Sequence, residues 1–214
     1  ICYYEGEDWY VKNGCADPQY NDVICMNDDW LAVRNGRIDS NFNGIASNAS
    51  GEWYCEYGQV QFAASGLVKS ENDAFDGWYY VRNGCVQKGQ ETVVQNSSGW
   101  WYIGTDGKVD FHKNTVAPNE YGWWAVRNGA VDFQLNGIAS NESGDWYCRG
   151  GQVDFGAAGV LESETEGFCG WYYIQNGCVQ KGQETVKQNS NGWWYIGTDG
   201  KVDFGFSGIA SNEN

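Results

Sequence analysis

The 214-residue sequence sets 28 acidic side chains against 13 basic ones, a formal charge of −15, with one histidine and eight cysteines. Such a surface repels phosphate backbones and anionic lipid, and no Lys/Arg cluster offsets it, so nucleic acid and membranes are excluded as partners. No apolar run approaches 18 residues, so neither a membrane-spanning helix nor a signal peptide is read; 30 Gly, 12 Trp and 14 Tyr beside two Pro fit a folded chain, not a disordered or collagen-like one.

A fixed offset organises the chain. The words NGIASN at 43–48 return at 136–141, NGCVQKGQETV at 83–93 returns at 176–186, and GWWYIGTDGKVDF at 99–111 returns at 192–204, each 93 residues later. A shorter repeat lies inside this one. Aligned on the aromatic residue that opens each hairpin, it gives Trp9, Leu31, Trp53, Tyr79, Trp101, Trp124, Trp146, Tyr172 and Trp194, spaced by 22 or 23 residues with two gaps of 26. In chain order, residues 1–30 are a degenerate first unit, 31–123 a four-unit block and 124–214 its second copy, in one continuous array. The start at Ile1 and the stop at SNEN are read as the ends of a piece of a longer secreted protein.

Each unit alternates with period 2, as a strand with two unlike faces does. In WWAVRNGAVDF the pair Asn128-Gly129 is preferred in a two-residue type I′ turn, because both central residues need positive φ. That turn sets Val126 opposite Val131 and Trp124 opposite Phe133, and these four share one face. In the IGTDGKV units one residue is added; Thr105-Asp106-Gly107 makes a three-residue loop, and Ile103 still meets Val109. The Val126 position holds only Val, Ile or Cys across the copies, so that face is expected to be buried. The position before the aligned aromatic holds six Trp but also Asp8, Glu52 and Asp145, so it is expected to be wet. With the tyrosines two residues on, it forms a Trp-x-Tyr stripe that faces outward or into a groove between units. Linkers such as QLNGIASNESGD supply turns and an apolar Ile138-Ala139 step that packs beneath the next unit. The extra residues in ENDAFDG and ETEGFCG are expected to interrupt the stack at equivalent places. A lone hairpin is marginal in water. Stacked units bury a continuous face, so the expectation is an all-β, elongated, repetitive β-hairpin solenoid.

These GWWY…NG hairpins, each followed by a Gly-containing linker of about ten residues, resemble the tryptophan-rich GWWY-NG-KVDF cell-surface repeats of gut Gram-positive bacteria, related to choline-binding and cell-wall-binding repeats. The resemblance covers essentially the whole chain. It implies aromatic cages for a quaternary ammonium group, with Trp78, Trp100, Trp123, Trp171 and Trp193 and the tyrosines Tyr80, Tyr102, Tyr173 and Tyr195 as ligand-binding candidates. Acids stand in place of the stripe Trp at Asp8, Glu52 and Asp145.

Catalysis finds little support. His112 has Gly205 at its counterpart, and without a second histidine there is no Ser-His-Asp, Cys-His or zinc arrangement. Asp106, Asp110, Asp199 and Asp203 lack calcium-loop spacing and are read as solvated acids; no cofactor or metal is expected. Eight cysteines in a chain of extracellular character point to disulfides. Cys55–Cys85 and Cys148–Cys178, both 30 apart, are the favoured pairs; Cys169 rivals Cys148 for Cys178, and Cys2, Cys15 and Cys25 stay unassigned. Sequons stand at Asn48, Asn96 and Asn141.

Two functions fit. In the favoured one, a secreted or cell-surface, non-enzymatic module recognises a host macromolecule multivalently, an immunoglobulin- or mucin-like glycoprotein, through the aromatic stripe. In the alternative, it anchors its parent to envelope glycan or choline. Long loops, stripe acids and cysteines, all kept through the duplication, favour a shaped protein-binding surface. The acidic loops around Asp73, Asp76, Glu164 and Glu166 are the next candidate region.

Overall fold

The computed structural model describes residues 1–4 and 6–211. Among them every regular element is a β-strand, in repeated antiparallel hairpins. The chain divides into two compact units, Ile1–Ser98 with Ile103–Val109, and Gly99–Tyr102 with Asp110–Asn214.

The repeat around Trp124 shows the common plan. A lead strand, Thr115–Asn119, pairs along its length with a central strand, Gly122–Arg127, which turns into a short return strand, Ala130–Val131. Val126 stands opposite Val131 and Ile103 opposite Val109, as alternation requires. Asn128 and Gly129 have φ of 48° and 75°, the double positive of a type I′ turn. The lead strand is a correction to the sequence reading, which takes the linkers as turns. NGIASN forms the strand Gly137–Asn141, paired to Gly144–Arg149 in the register Ala139↔Trp146.

Successive repeats interlock through the return strand. Ala130 pairs back to Trp101, Gln152 to Trp124 and Cys178 to Trp146 in the second unit; Arg37 pairs to Trp9, Gln59 to Leu31 and Cys85 to Trp53 in the first. The turn glycine completes the clamp. Gly129 accepts a hydrogen bond from the Tyr102 N–H (2.8 Å) and donates one to the Lys113 carbonyl (2.9 Å). A Cβ there would lie 2.3 Å from the Asp110 carbonyl oxygen, so this position needs glycine for close approach as well as for φ.

The core is a series of small clusters, each spanning two repeats. Val116, Ala125, Leu135, Cys148 and Val153 form one in the second unit, and Val23, Ala32, Phe42, Cys55 and Val60 form its counterpart in the first. The Val126 position is buried in each copy from Val33 to Ile196. Ile138 packs beneath the next repeat, against Tyr172, Ile174 and Val179. The two multistranded sheets each end at a long-loop hairpin, Gly66–Asn72 with Phe75–Arg82 and Gly159–Ser163 with Gly170–Gln175, so the regular strand pairing breaks at equivalent places, with only the isolated bridges Tyr79↔Lys108 and Tyr172↔Lys201 beyond them among the described residues. The first of these hairpins runs through seven paired residues, and its return strand Cys85–Val86 still reaches the preceding repeat. Buried Ser70 and Ser163 secure these hairpins by accepting from Ile45 N and Ile138 N, at 3.0 and 3.1 Å.

The expected disulfides are absent: Cys55, Cys85, Cys148 and Cys178 are free thiols. Cys55 and Cys148 are fully buried and their thiols donate to the carbonyls of Trp53 and Trp146. Cys85 and Cys178 stand opposite those tryptophans but turn the other way along the strand. Their sulfurs lie 3.3 and 3.2 Å from where a Cβ would be on Gly51 and Gly144, two residues before the Trp, whereas Cys55 and Cys148 lie two residues after it. Burial pushes the Cys55 and Cys148 thiols up to about 12.

Candidate ligand-binding sites between successive repeats

Three side chains from two neighbouring repeats meet at each of several junctions. Trp123, Trp146 and Phe155 have ring centroids 5.1, 5.8 and 5.7 Å apart with steep mutual tilts. Trp100, Trp124 and Phe133 repeat this at 5.0, 5.8 and 5.6 Å, and Tyr121 adds a fourth ring 6.0 Å from Trp100. In the first unit Trp30, Trp53 and Phe62 do the same at 5.1, 5.6 and 5.7 Å. Trp101–Phe111 and Trp194–Phe204 contribute the same two-ring edge at 5.4 Å, and Trp171 packs with Trp194 on the Val160, Ile196 and Val202 cluster.

Local sequence fixes these rings. The aligned Trp is held by the asparagine that closes its lead strand: Trp146 Nε1 donates to Asn141 Oδ1 at 3.0 Å, Trp124 to Asn119 at 2.9 Å, Trp53 to Asn48 at 3.0 Å and Trp194 to Asn189 at 2.8 Å. Asn141 Nδ2 donates in turn to the Val116 carbonyl, and Asn48 Nδ2 to that of Val23, both at 3.0 Å, so one amide fixes the ring and ties two repeats. The sequon side chains Asn48 and Asn141 are thus occupied within the fold. The third ring is half in water: Phe133 is 45% exposed, and Phe62, Phe111, Phe155 and Phe204 are exposed too. Fixed rings with apolar edges left in water make a surface ready for a partner.

The structure redistributes the residues expected in the stripe. Trp100 and Trp123 sit in trios, with Trp123 packed on the Val116 cluster, not projecting outward. Trp78 and Trp171 are half-buried, and Trp193 is 57% exposed. The four tyrosines lie elsewhere. Tyr102 is 2% exposed, which corrects its outward placement. Tyr80 lies under Arg82 and Tyr173 under Lys187, while Tyr195 stacks on Phe206 at 3.7 Å. The residues missed by sequence reasoning are the aligned Trp53, Trp124 and Trp146 and the phenylalanines. Trp124 and Phe133 do share a face, but it is the junction, not a dry core. The signal was present in the copies: wherever the first position is Trp, the aligned residue one repeat later is Trp and its return strand ends in Phe.

The acid positions form a different junction. Asp145 is 7% exposed, ion-paired to Lys181, and its Oδ1 accepts from Ser140 Oγ at 2.6 Å. Glu52 pairs with Lys88 in the same way. Away from the junctions, a cavity of about 510 Å³ lies under the Glu166 loop, lined by Arg127, Leu135, Ile138 and Phe168, and one of about 340 Å³ under the Asp73 loop is lined by the counterparts Arg34, Ile45 and Phe75. No helix among the described residues is long and apolar enough to cross a membrane.

No curated protein matches the chain. Among solved structures it resembles alternansucrase in complex with isomaltononaose (16% identity, TM-score 0.43), covering 94% of this chain and 15% of that one. It also resembles choline-binding protein F from Streptococcus pneumoniae (17%, 0.36; 86% of this chain, 59% of that one) and the choline-binding domain of CbpL from the same organism (16%, 0.38; 88% and 100%). The chain therefore spans less than two thirds of the length of each of the first two. The choline-binding repeat matches at residues 1–17, 41–61, 65–87, 91–110, 113–132, 136–154 and 170–180, more than half of the sequence. The periodic hairpins, the interlocking turns and this match together place the chain in the choline-binding repeat family.

Proposed function

We propose that the chain is a non-enzymatic anchoring module of a bacterial cell-surface protein, holding quaternary ammonium groups, choline foremost, displayed on the cell envelope. The observation that carries this reading is the recurrence of three-ring clusters at successive junctions, each with a half-exposed phenylalanine and an indole locked by asparagine. Ring quadrupoles attract a cation that cannot be neutralised by losing a proton. The formal charge of −15 draws cations to the surface and repels anionic polymers that lack them. Three rings at about 0.5–2 kcal/mol each give a weak single site, so retention comes from several sites engaging one multivalent wall.

The host-glycoprotein reading gives way to this one. Trios confined to pairs of repeats suit a small group presented many times, whereas one protein epitope would favour a single broad surface. The test is a calorimetric titration with choline, in which Phe155→Ala and Trp123→Ala each remove one site while the remaining sites keep their affinity. Undiminished stoichiometry in both variants, or no choline binding by the intact chain beside capture of a host secretory glycoprotein, would overturn the assignment.

A further inference from the structure

The two cavities under the long loops are one design made twice. All but one of the residues lining the cavity of about 340 Å³ have their counterparts, 93 residues on, around the cavity of about 510 Å³. Three repeats build each of them. In the second unit Arg127 and Asn128 come from one hairpin, Ile138 and Ala139 from the next lead strand, and Glu166 and Phe168 from the long loop beyond it. The same tie fixes the rim in both copies: Asn128 N donates to Asn114 Oδ1 at 2.9 Å, and Asn35 N to Asn21 Oδ1 at 3.0 Å.

What the two copies share is a pair of opposite charges. The loop reads ENDAFDG at 71–77 and ETEGFCG at 164–170, with four of seven residues different, yet an acid (Asp73, Glu166) and a phenylalanine (Phe75, Phe168) stand at the same places. The Arg127 position is Arg34 in the first unit, whereas in the two repeats that follow the blocks differ, Glu56 against Arg149 and Arg82 against Gln175. Each cavity thus faces one guanidinium and one carboxylate from different repeats, and the two do not neutralise each other. Among the described residues Asp73, Glu166 and Arg34 form no salt bridge. Arg34 lies over the Phe42 ring, 4.8 Å from its centroid, and Arg127 reaches Asp132 with one nitrogen at 3.5 Å, which leaves most of its donors to spare. Cavities of this size, with apolar walls and a few placed polar groups, suit small ligands.

We propose that the two cavities are equivalent binding sites for a small zwitterion with an apolar side chain, a free amino acid or a dipeptide. Its carboxylate goes to the arginine, its ammonium to the loop acid, and its side chain against Ile138 and Phe168 or their counterparts Ile45 and Phe75. Choline fits poorly, because it brings no anion for the guanidinium and meets one phenylalanine instead of the three rings of a junction. A bare anion meets the loop carboxylate and the field of a chain carrying −15. These sites act beside the junctions and do not depend on them.

Leucine and alanyl-leucine are the probes, titrated calorimetrically into the full chain beside their N-acetyl and carboxamide forms. Two zwitterions should bind per chain. Arg34→Gln silences the first cavity, so the second is read alone. In that background Arg127→Gln and Glu166→Gln should each weaken the probe about tenfold or more, the loss of one charge-assisted contact. N-acetylation should cost a similar factor in the Arg34→Gln chain but nothing further once Glu166 is Gln, and amidation nothing further once Arg127 is Gln. Both side chains stand in water, so folding is kept, and choline stoichiometry on the same samples should match the parent's. No binding of either zwitterion at millimolar concentration, equal binding of the N-acetyl form, or unchanged affinity in both charge variants overturns the proposal. So does N-acetylglucosamine, a neutral sugar, occupying the cavity in preference to both probes. A chain that binds leucine but no choline refutes the proposed function alone.

Discussion

Asn141→Ala should be the most informative single substitution, because one amide serves two purposes. Its Oδ1 accepts from Trp146 Nε1 at 3.0 Å and Ser143 N at 2.9 Å, and its Nδ2 donates to the Val116 carbonyl of the preceding repeat at 3.0 Å. At about 1 kcal/mol net for each bond, with the exposed Ser143 bond worth least, the loss should be about 2–3 kcal/mol. Asn141→Asp keeps both acceptor roles but sets a carboxylate oxygen against the Val116 carbonyl in place of the donor, so it should destabilise the tie between repeats while leaving the indole in place. Urea unfolding followed by tryptophan fluorescence measures both. The Ala variant should also lose choline affinity at the Trp123 trio, since a free indole must be ordered on binding, whereas the Asp variant should not. An Ala variant within about 0.5 kcal/mol of the parent, or an Asp variant that loses choline affinity as Ala does, would refute the view that this amide both locks the ring and joins repeats.

Gly129→Ala should destabilise by at least about 1 kcal/mol more than Gly182→Ala in chemical unfolding: both have positive φ, but a Cβ meets the Asp110 carbonyl at the first and nothing within 4 Å at the second. Phe133→Ala, at a site already 45% in water, should cost about 1 kcal/mol of stability yet remove a choline site, read by calorimetry. In reducing buffer, alkylation of the native chain should modify Cys2, Cys15, Cys25 and Cys169 fast and Cys55 and Cys148 only after unfolding. The same two thiols make stability pH-dependent. Their folded pKa is raised, so their contribution is full below about 9 and is lost as pH rises from about 9 to about 12, by up to about 1.4 kcal/mol per pH unit for each thiol, measurable as a falling urea midpoint.

The turn chemistry and the buried face were legible because both are decided within one hairpin. Asn128-Gly129 fixes its own φ values, and the Val126 column never accepts a charge. The sites were harder to read, because alternation assigns a residue to a face of its own strand and says nothing of the neighbour above it. Trp123 and Trp146 belong to opposite faces in that scheme, yet the interlock brings their rings to 5.1 Å. The lead strands were hidden by their Gly, Asn and Ser content, which serves a close turn and the asparagine tie more than loop flexibility. The cysteine pairing failed because a shared offset is inherited from duplication and carries no information about distance.

The clamp formed by the turn glycine has an evolutionary consequence. Each repeat is completed by the one that follows it, and the contacts that matter join nearest neighbours only. A gene segment copied in whole repeats therefore brings its internal joints along already matched, and only the seam has to be compatible. Gly129 and Trp100 lie at such a seam, and they obey the same rules as Gly151 and Trp123 one step later. Lengthening the array is then a change of dosage that selection can tune by recombination, without inventing a new contact.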